Sequence, residues 1–337
     1  MLEVADFSKK QIIVYMPPKG DKISYRNDNI IISDSDGKIK YQITCYRIFA
    51  LIVVGDCSVT TGIIRRARKF GFSICFMTYS FRLYSVIGAG LEGNFYLHEK
   101  QYSYTGTEIA SFLMINKIKN QRETLNMIRR KNPYIKEGIG MLDGYLETLI
   151  GGCNLDRNTI LGIEGSASKV YFARMFAELG WKGRKPRVKP DYINSLLDIG
   201  YTVLFEFIDC LLNVFGFDVY KGVYHTCFYM RKSLVCDIME PFRPIVDWRI
   251  KKGIALQQFK KEDFFELNGQ WQLEYKKSSE YISVFMNDIL ENKDYVFRYV
   301  RDYYRSFMKG KDPLHYKMFL LAKRELEPLE EENNDRC

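Results

Sequence analysis

The sequence predicts an α+β fold: a small β-rich N-terminal domain followed by an all-helical one that would carry the chemistry. Three observations predict it. Up to about residue 100, apolar and β-branched residues fall mainly in short runs separated by turn residues. From about residue 105 the apolar positions recur with a period of 3.6. The 337 residues, at roughly 150 per domain, allow about two domains. The expected division is 1–100 for the β-rich domain and 101–325 for the helical one. Residues 326–337 are expected to form an acidic flexible tail.

Strands are expected at Gln11–Tyr15, Lys22–Tyr25, Asn29–Ile32 and, after the turn Asp34-Ser35-Asp36-Gly37, at Ile39–Cys45. Ile48–Val54 is wholly apolar and suits a buried central strand. Ser58 is a candidate N-cap for a helix over Val59–Lys69 that stops at Gly71. Phe72–Thr78 and Leu83–Ile87 read as further strands. The change of pattern lies near Glu92–Tyr104. Helices follow from Glu108 to before Pro133, then over Tyr134–Ile150, Asp156–Leu179 and Asp191–Phe215. A further one covers Arg231–Arg249 with a break at Pro241. Leu267-Asn268-Gly269-Gln270 predicts a hairpin turn within 262–275, and helices resume at Ser278–Asn292 and Asp294–Met308. From Arg324 to Cys337, six acidic residues against two basic ones read as a frayed, solvated end.

Fifty Lys and Arg against 41 Asp and Glu leave a net charge of +9, which favours a polyanionic partner, nucleic acid or an acidic membrane surface. No run of about 18 uncharged apolar residues exists, and the N-terminus lacks the basic and apolar regions of a leader, so a soluble, cytoplasmic protein without membrane contact is expected. The eight cysteines form no CxxC pair and mostly sit in apolar runs, which reads as reduced core residues.

Only three histidines are present, so each is a candidate of consequence. His225 ends Gly222-Val223-Tyr224-His225, and Asp237 and Glu240 follow within Ser233–Glu240. On a helix, residues three apart share a face, and two carboxylates there repel by about 0.2–0.5 kcal/mol when exposed. A cation between them would remove the conflict. The same acids also read as an amphipathic helix pairing with Arg231, Lys232 or Arg243, and His225 alone as a loop histidine. Glu164 lies in Gly162–Phe172, among small residues that permit close approach or simply tight helix packing. One imidazole with two or three carboxylates is an N/O ligand set without thiolate, suited to Mg²⁺ or Mn²⁺. Basic runs complete the picture. Lys182–Lys189 holds five cations in eight residues, residues 115–131 hold six against Glu123 alone, and Arg65, Arg66, Arg68 and Lys69 end the first helix. Each is also an ordinary solvated face; the Lys182–Lys189 loop stands out because it lies between the candidate ligand segments.

Four blocks carry a resemblance: Glu164–Phe172, Pro190–Tyr201, Gly222–His225 and Ser233–Pro244. In that order and spacing they resemble the CRISPR-associated integrase family, the first-numbered Cas protein. Gly55, Ser58-Val59-Thr60, Phe72–Phe76, Glu92-Gly93-Asn94 and Gln101-Tyr102 look like the family's β-domain. The resemblance implies a homodimer, two of which bridge a dimer of a small ferredoxin-like partner in a heterohexamer, acting on double-stranded DNA. It implies that Glu164, His225 and Glu240 hold a divalent metal and that Asp237 assists. Asn194 and Tyr171 match polar positions of the site region. Arg184, Lys185, Arg187, Lys189, Asn194 and Arg243 are the expected DNA contacts. Met230, Lys169 and Ser168 depart from the usual pattern without removing a ligand. The implied reaction is transesterification, in which a 3′-hydroxyl of a short spacer-precursor duplex attacks a phosphodiester of the CRISPR repeat. A stand-alone metal-dependent nuclease acting on branched DNA in repair is the competing reading, and a non-catalytic scaffold a third.

Overall fold

The computed structural model describes residues 9–79, 83–88, 94–152, 154–186 and 188–328. The expectations for Arg187, Cys153, Glu92-Gly93, the first eight residues and positions 329–337 lie outside the described residues. The chain divides into two compact units, one of residues 1–99 with 206–218, the other of 100–205 with 219–337.

The first unit is built on two four-stranded sheets. Strands β1 (Gln11–Tyr15), β5 (Ile48–Val54), β7 (Ser73–Met77) and β8 (Leu83–Gly88) form one, in the order β1-β5-β7-β8, parallel except for the β7–β8 pair. Strands β2 (Lys22–Arg26), β3 (Asn29–Ser33), β4 (Ile39–Thr44) and the short β6 (Ser58–Val59) form the other, in the order β4-β3-β2-β6. All seven residues of β5 are buried, as a central strand without polar alternation requires. Helix α1 (Gly62–Phe70) packs Ile63 and Ala67 into a core with Ile23, Ile30, Ile32, Leu51, Val53, Phe72 and Ile74. It starts three residues later than expected. Ser58 is no cap, because Ser58–Val59 pairs in parallel with Lys22–Ile23, and Thr61 occupies the cap position. It ends as expected at Gly71, whose φ of 68° is the left-handed conformation that glycine adopts without strain. Helix α2 (Phe95–Ser103) lies where only a boundary was expected.

The second unit is helical: α3 (Glu108–Asn126), α4 (Pro133–Gly151), α5 (Arg157–Met175), α6 (Tyr192–Phe215, whose last turns belong to the first unit), α7 (Ser233–Met239), α8 (Arg243–Ala255), α9 (Tyr275–Glu291) and α10 (Lys293–Lys309). Caps start two of them. Asn132 accepts from Ile135 N ahead of Pro133, and Asp156 accepts from Thr159 N. The break expected at Pro241 is a 3₁₀ turn, Glu240–Phe242, between α7 and α8. Two antiparallel pairs accompany the helices, so the unit is not helical throughout. β9 (Phe264–Leu267) and β10 (Gln270–Leu273) flank the predicted Asn268-Gly269 turn. β11 (Lys317–Leu320) pairs with β12 (Glu325–Pro328). This corrects the expected tail: Leu326 to Pro328 pair with a strand whose Met318 and Phe319 are buried, and that burial outweighs local acidity. Among the described residues, no helix is long and apolar enough to cross a membrane.

Inside this unit Asp247 of α8 is fully buried and accepts from the hydroxyls of Tyr171 (3.0 Å) and Tyr201 (2.6 Å). Burial pushes its carboxyl up to about 6, only partly offset by the two tyrosine hydrogen bonds. Because the folded value exceeds the unfolded one, ionisation of Asp247 costs stability as pH rises through 4 to 6, about 3 kcal/mol in all. Asp247→Asn is therefore expected to gain on the parent by that order between pH 4 and pH 7 in denaturant titrations.

Candidate metal and DNA-joining site

Helix α3 is the spine of the site. Asn116 and Asn120, four apart and fully buried, face strand β11: both side-chain amides donate to Phe319 O, and their oxygens accept from Phe319 N and Leu321 N. Asn120 also donates to Pro241 O, next to Glu240. One residue after Asn116, Lys117 is buried with its ammonium 2.5 Å from Glu164 Oε1 on α5 and 2.7 Å from Glu240 Oε2. Arg243 closes the other side, 3.0 Å from Glu240 Oε1, and Ser168 donates to Glu164 Oε1. Burial opposes ionisation of Glu240, but the cations of Arg243 and Lys117 outweigh it and hold the carboxyl at about 2. Glu164 is likewise opposed by burial and held low by Lys117. Lys117, in turn, is kept charged against burial by Glu240 and Glu164.

His225 is set by the loop before α7. Asp237 is fully buried and accepts from Val223 N, Tyr224 N and His225 N (2.7, 2.9 and 2.8 Å) and from His225 Nδ1 (2.6 Å). A carboxylate on Nδ1 fixes the proton there and leaves Nε2 as the nitrogen able to ligate. The loop carbonyl of Tyr224 takes a hydrogen bond from Arg157, and Ser233 ties Thr226 O at 3.0 Å. Gly222 is dictated by this closure: a Cβ there would stand 2.7 Å from Asp237 Oδ2 and 2.8 Å from Ser233 Cβ. Gly222→Ala is therefore expected to destabilise the protein by about 1–3 kcal/mol, seen as a lowered melting temperature.

The structure corrects several expectations. Asp237 and Glu240 do not share a cation. The 3₁₀ turn interrupts the helix between them, and Asp237 spends its oxygens on the loop while Glu240 turns to Lys117 and Arg243. Nor do Glu164, His225 and Glu240 close into a three-ligand cluster; among the described residues no three His, Cys, Asp or Glu side chains meet at metal-binding distance. The two acids converge on Lys117, because buried like charges require a counter-charge and α3 supplies one. Asn194 is fully buried, accepting from Lys185 N and donating to Gly183 O and Asp191, so it shapes the loop and does not reach DNA. Arg184 turns inward, 2.5 Å from Asp198. Lys185 is exposed, Lys189 half-buried, and Arg243 is committed to Glu240. Lys117 was legible only as one cation of a basic run. Its flanks, Ile115-Asn116 and Ile118, are the signal that it points inward.

The residue types, though not closed around a common point, are those that a hard divalent cation takes. The donor set is two carboxylates and one imidazole with its second nitrogen already oriented. Glu240 Oε2, though paired with Lys117, has no hydrogen bond of good angle, and the buried Tyr224 hydroxyl, pushed up by burial and by the charges of Glu164 and Glu240, has no hydrogen-bond partner.

Comparison with known proteins gives a consistent result. The chain is 27% identical over 281 residues to a CRISPR-associated endonuclease Cas1 of Thermodesulfovibrio yellowstonii, covering 73% of this chain and 87% of that one. It is 27% identical over 256 residues to one from Chlorobaculum tepidum, covering 70% and 74%. Its fold resembles the Cas1 protein of Thermotoga maritima (TM-score 0.68, 15% identity, 89% of this chain and 97% of that). A casposase bound to its integration product is similar in fold as well (TM-score 0.67, 19% identity, 96% and 94%). The family model of the CRISPR-associated protein Cas1 matches residues 14–287, more than three quarters of the sequence, and the chain belongs to that family.

Proposed function

We propose that this chain is a metal-dependent DNA integrase and endonuclease of CRISPR adaptation, joining 3′-hydroxyl ends of short spacer-precursor DNA to the repeat of an array. The observation that carries the reading is the meeting at Lys117 of two carboxylates held ionised, the half-buried Glu164 of α5 and the buried Glu240 of the 3₁₀ turn, with a nearby imidazole oriented by Asp237. Glu164, His225 and Glu240 would hold Mg²⁺ or Mn²⁺. Such an ion, when bound, polarises a phosphodiester and stabilises charge on its oxygens. The chain's own residues then have separate tasks. Asp237 holds His225 in one tautomer, Lys117 and Arg243 keep both carboxylates ionised, and the exposed Lys182 and Lys185 attract the DNA backbone. Transesterification uses the substrate's own hydroxyl as nucleophile, so no serine or tyrosine of the chain attacks.

A homodimer assembled with a small ferredoxin-like partner fits the relatives whose structures are described as a Cas6-RT-Cas1–Cas2 complex. The test is a joining assay with purified chain and partner, a short duplex with free 3′-hydroxyl ends, a repeat-bearing plasmid and Mn²⁺. Covalent strand joining that EDTA abolishes is expected. Hydrolysis of branched DNA without joining, and indifferent to the partner, would favour the repair nuclease instead.

A further inference from the structure

The charges around Glu164 and Glu240 carry an inference beyond the ligand assignment, though it rests on that assignment. The candidate acids bring two negative charges, and Asp237 behind His225 a third. Against them stand the buried Lys117, touching both acids, and Arg243, touching Glu240. The balance is one negative charge. A divalent ion would turn it into an excess of one positive charge among side chains that are mostly out of water, where such an excess is costly. One phosphodiester closes the count. The exposed Arg157 at the Tyr224 carbonyl tilts the balance further toward an anion.

We infer that Lys117 and Arg243 are charge-balancing residues that make metal and DNA phosphate bind interdependently: the metal weakly by itself, and tightly once a phosphate of the DNA is in place. Lys117 is the more consequential of the two, because its ammonium touches both acids, at Glu164 Oε1 and Glu240 Oε2, and would compete with an ion held by them. Arg243 touches Glu240 alone, at Oε1. By linkage, the factor by which DNA tightens the metal is the factor by which the metal tightens DNA. A free protein would then carry little metal, and the site would be armed only on DNA.

The test is Mn²⁺ titration followed by electron paramagnetic resonance, on the full chain with and without a short DNA duplex, for the parent, Lys117→Met, Lys117→Arg and His225→Ala. The duplex is expected to tighten Mn²⁺ about tenfold or more in the parent, within the range usual for coupled sites. Lys117→Met should bind Mn²⁺ about tenfold more tightly than the parent without DNA and lose most of the coupling. Lys117→Arg, which keeps the charge, should behave like the parent; a purely structural role for Lys117 predicts neither the gain nor the rescue. If Lys117→Met does not fold, the parent titration decides alone: equal Mn²⁺ affinity with and without DNA overturns the inference. So does a folded Lys117→Met that binds Mn²⁺ no more tightly than the parent. The ligand assignment fails separately, if His225→Ala binds Mn²⁺ as the parent does.

Discussion

Alanine at His225 is expected to abolish strand joining while leaving both the fold and DNA binding close to those of the parent. The imidazole contacts Asp237 and, edge-on, Tyr224, and it is partly exposed. Removing it still leaves three backbone N–H groups on Asp237, so the loop keeps most of its closure. The activity loss should exceed the roughly 10–100-fold typical of losing a group that merely orients a metal ligand. Joining measured with Mn²⁺ beside a gel-shift titration checks both halves. Ordinary joining by His225→Ala would remove the histidine from the site.

Glu240→Ala is expected to fail differently, losing joining and stability together. Glu240 sits between the buried Lys117 and the half-buried Arg243, and deleting it leaves Arg243 without its acid and Lys117 with only Glu164. Breaking a buried pair from one side costs about 3–5 kcal/mol, which denaturant titration at pH 7 would register. The pH dependence has a definite sign. Glu240 has its carboxyl lowered from 4.5 to about 2, so its contribution is fully present above about pH 4.5 and fades as pH falls toward 2. The parent and Glu240→Ala should therefore converge in stability under acid conditions.

Much of this was legible in the order of residues, and the reasons differ by element. Ile48–Val54 announces a central strand because no position in it tolerates water, and Gly71 announces a helix end because the left-handed conformation suits glycine. Glu164, His225 and Glu240 stand out in the sequence as members of recognisable blocks. What escaped was relational. Asp237 and Glu240 share a helical spacing, yet Pro241 tightens the backbone into a 3₁₀ turn and the two acids face different partners. Asn194 was expected to contact DNA, but its amide is spent on Gly183, Lys185 and Asp191. Lys117 was hidden among neighbouring cations. Only packing separates a lysine that meets two carboxylates from one that meets solvent. The same holds for the acidic stretch at Glu325–Pro328, where pairing with β11 prevails over charge.

The asparagine ladder between α3 and β11 has a temporal meaning. Asn116 and Asn120 find their partners on Phe319 and Leu321, some two hundred positions downstream. While a ribosome is still short of Leu321, those amides are unsatisfied and the helix bearing Lys117 lacks its clamp. A nascent chain therefore carries every candidate ligand before it has the frame that aligns them, and that frame closes only once Phe319 and Leu321 have been made.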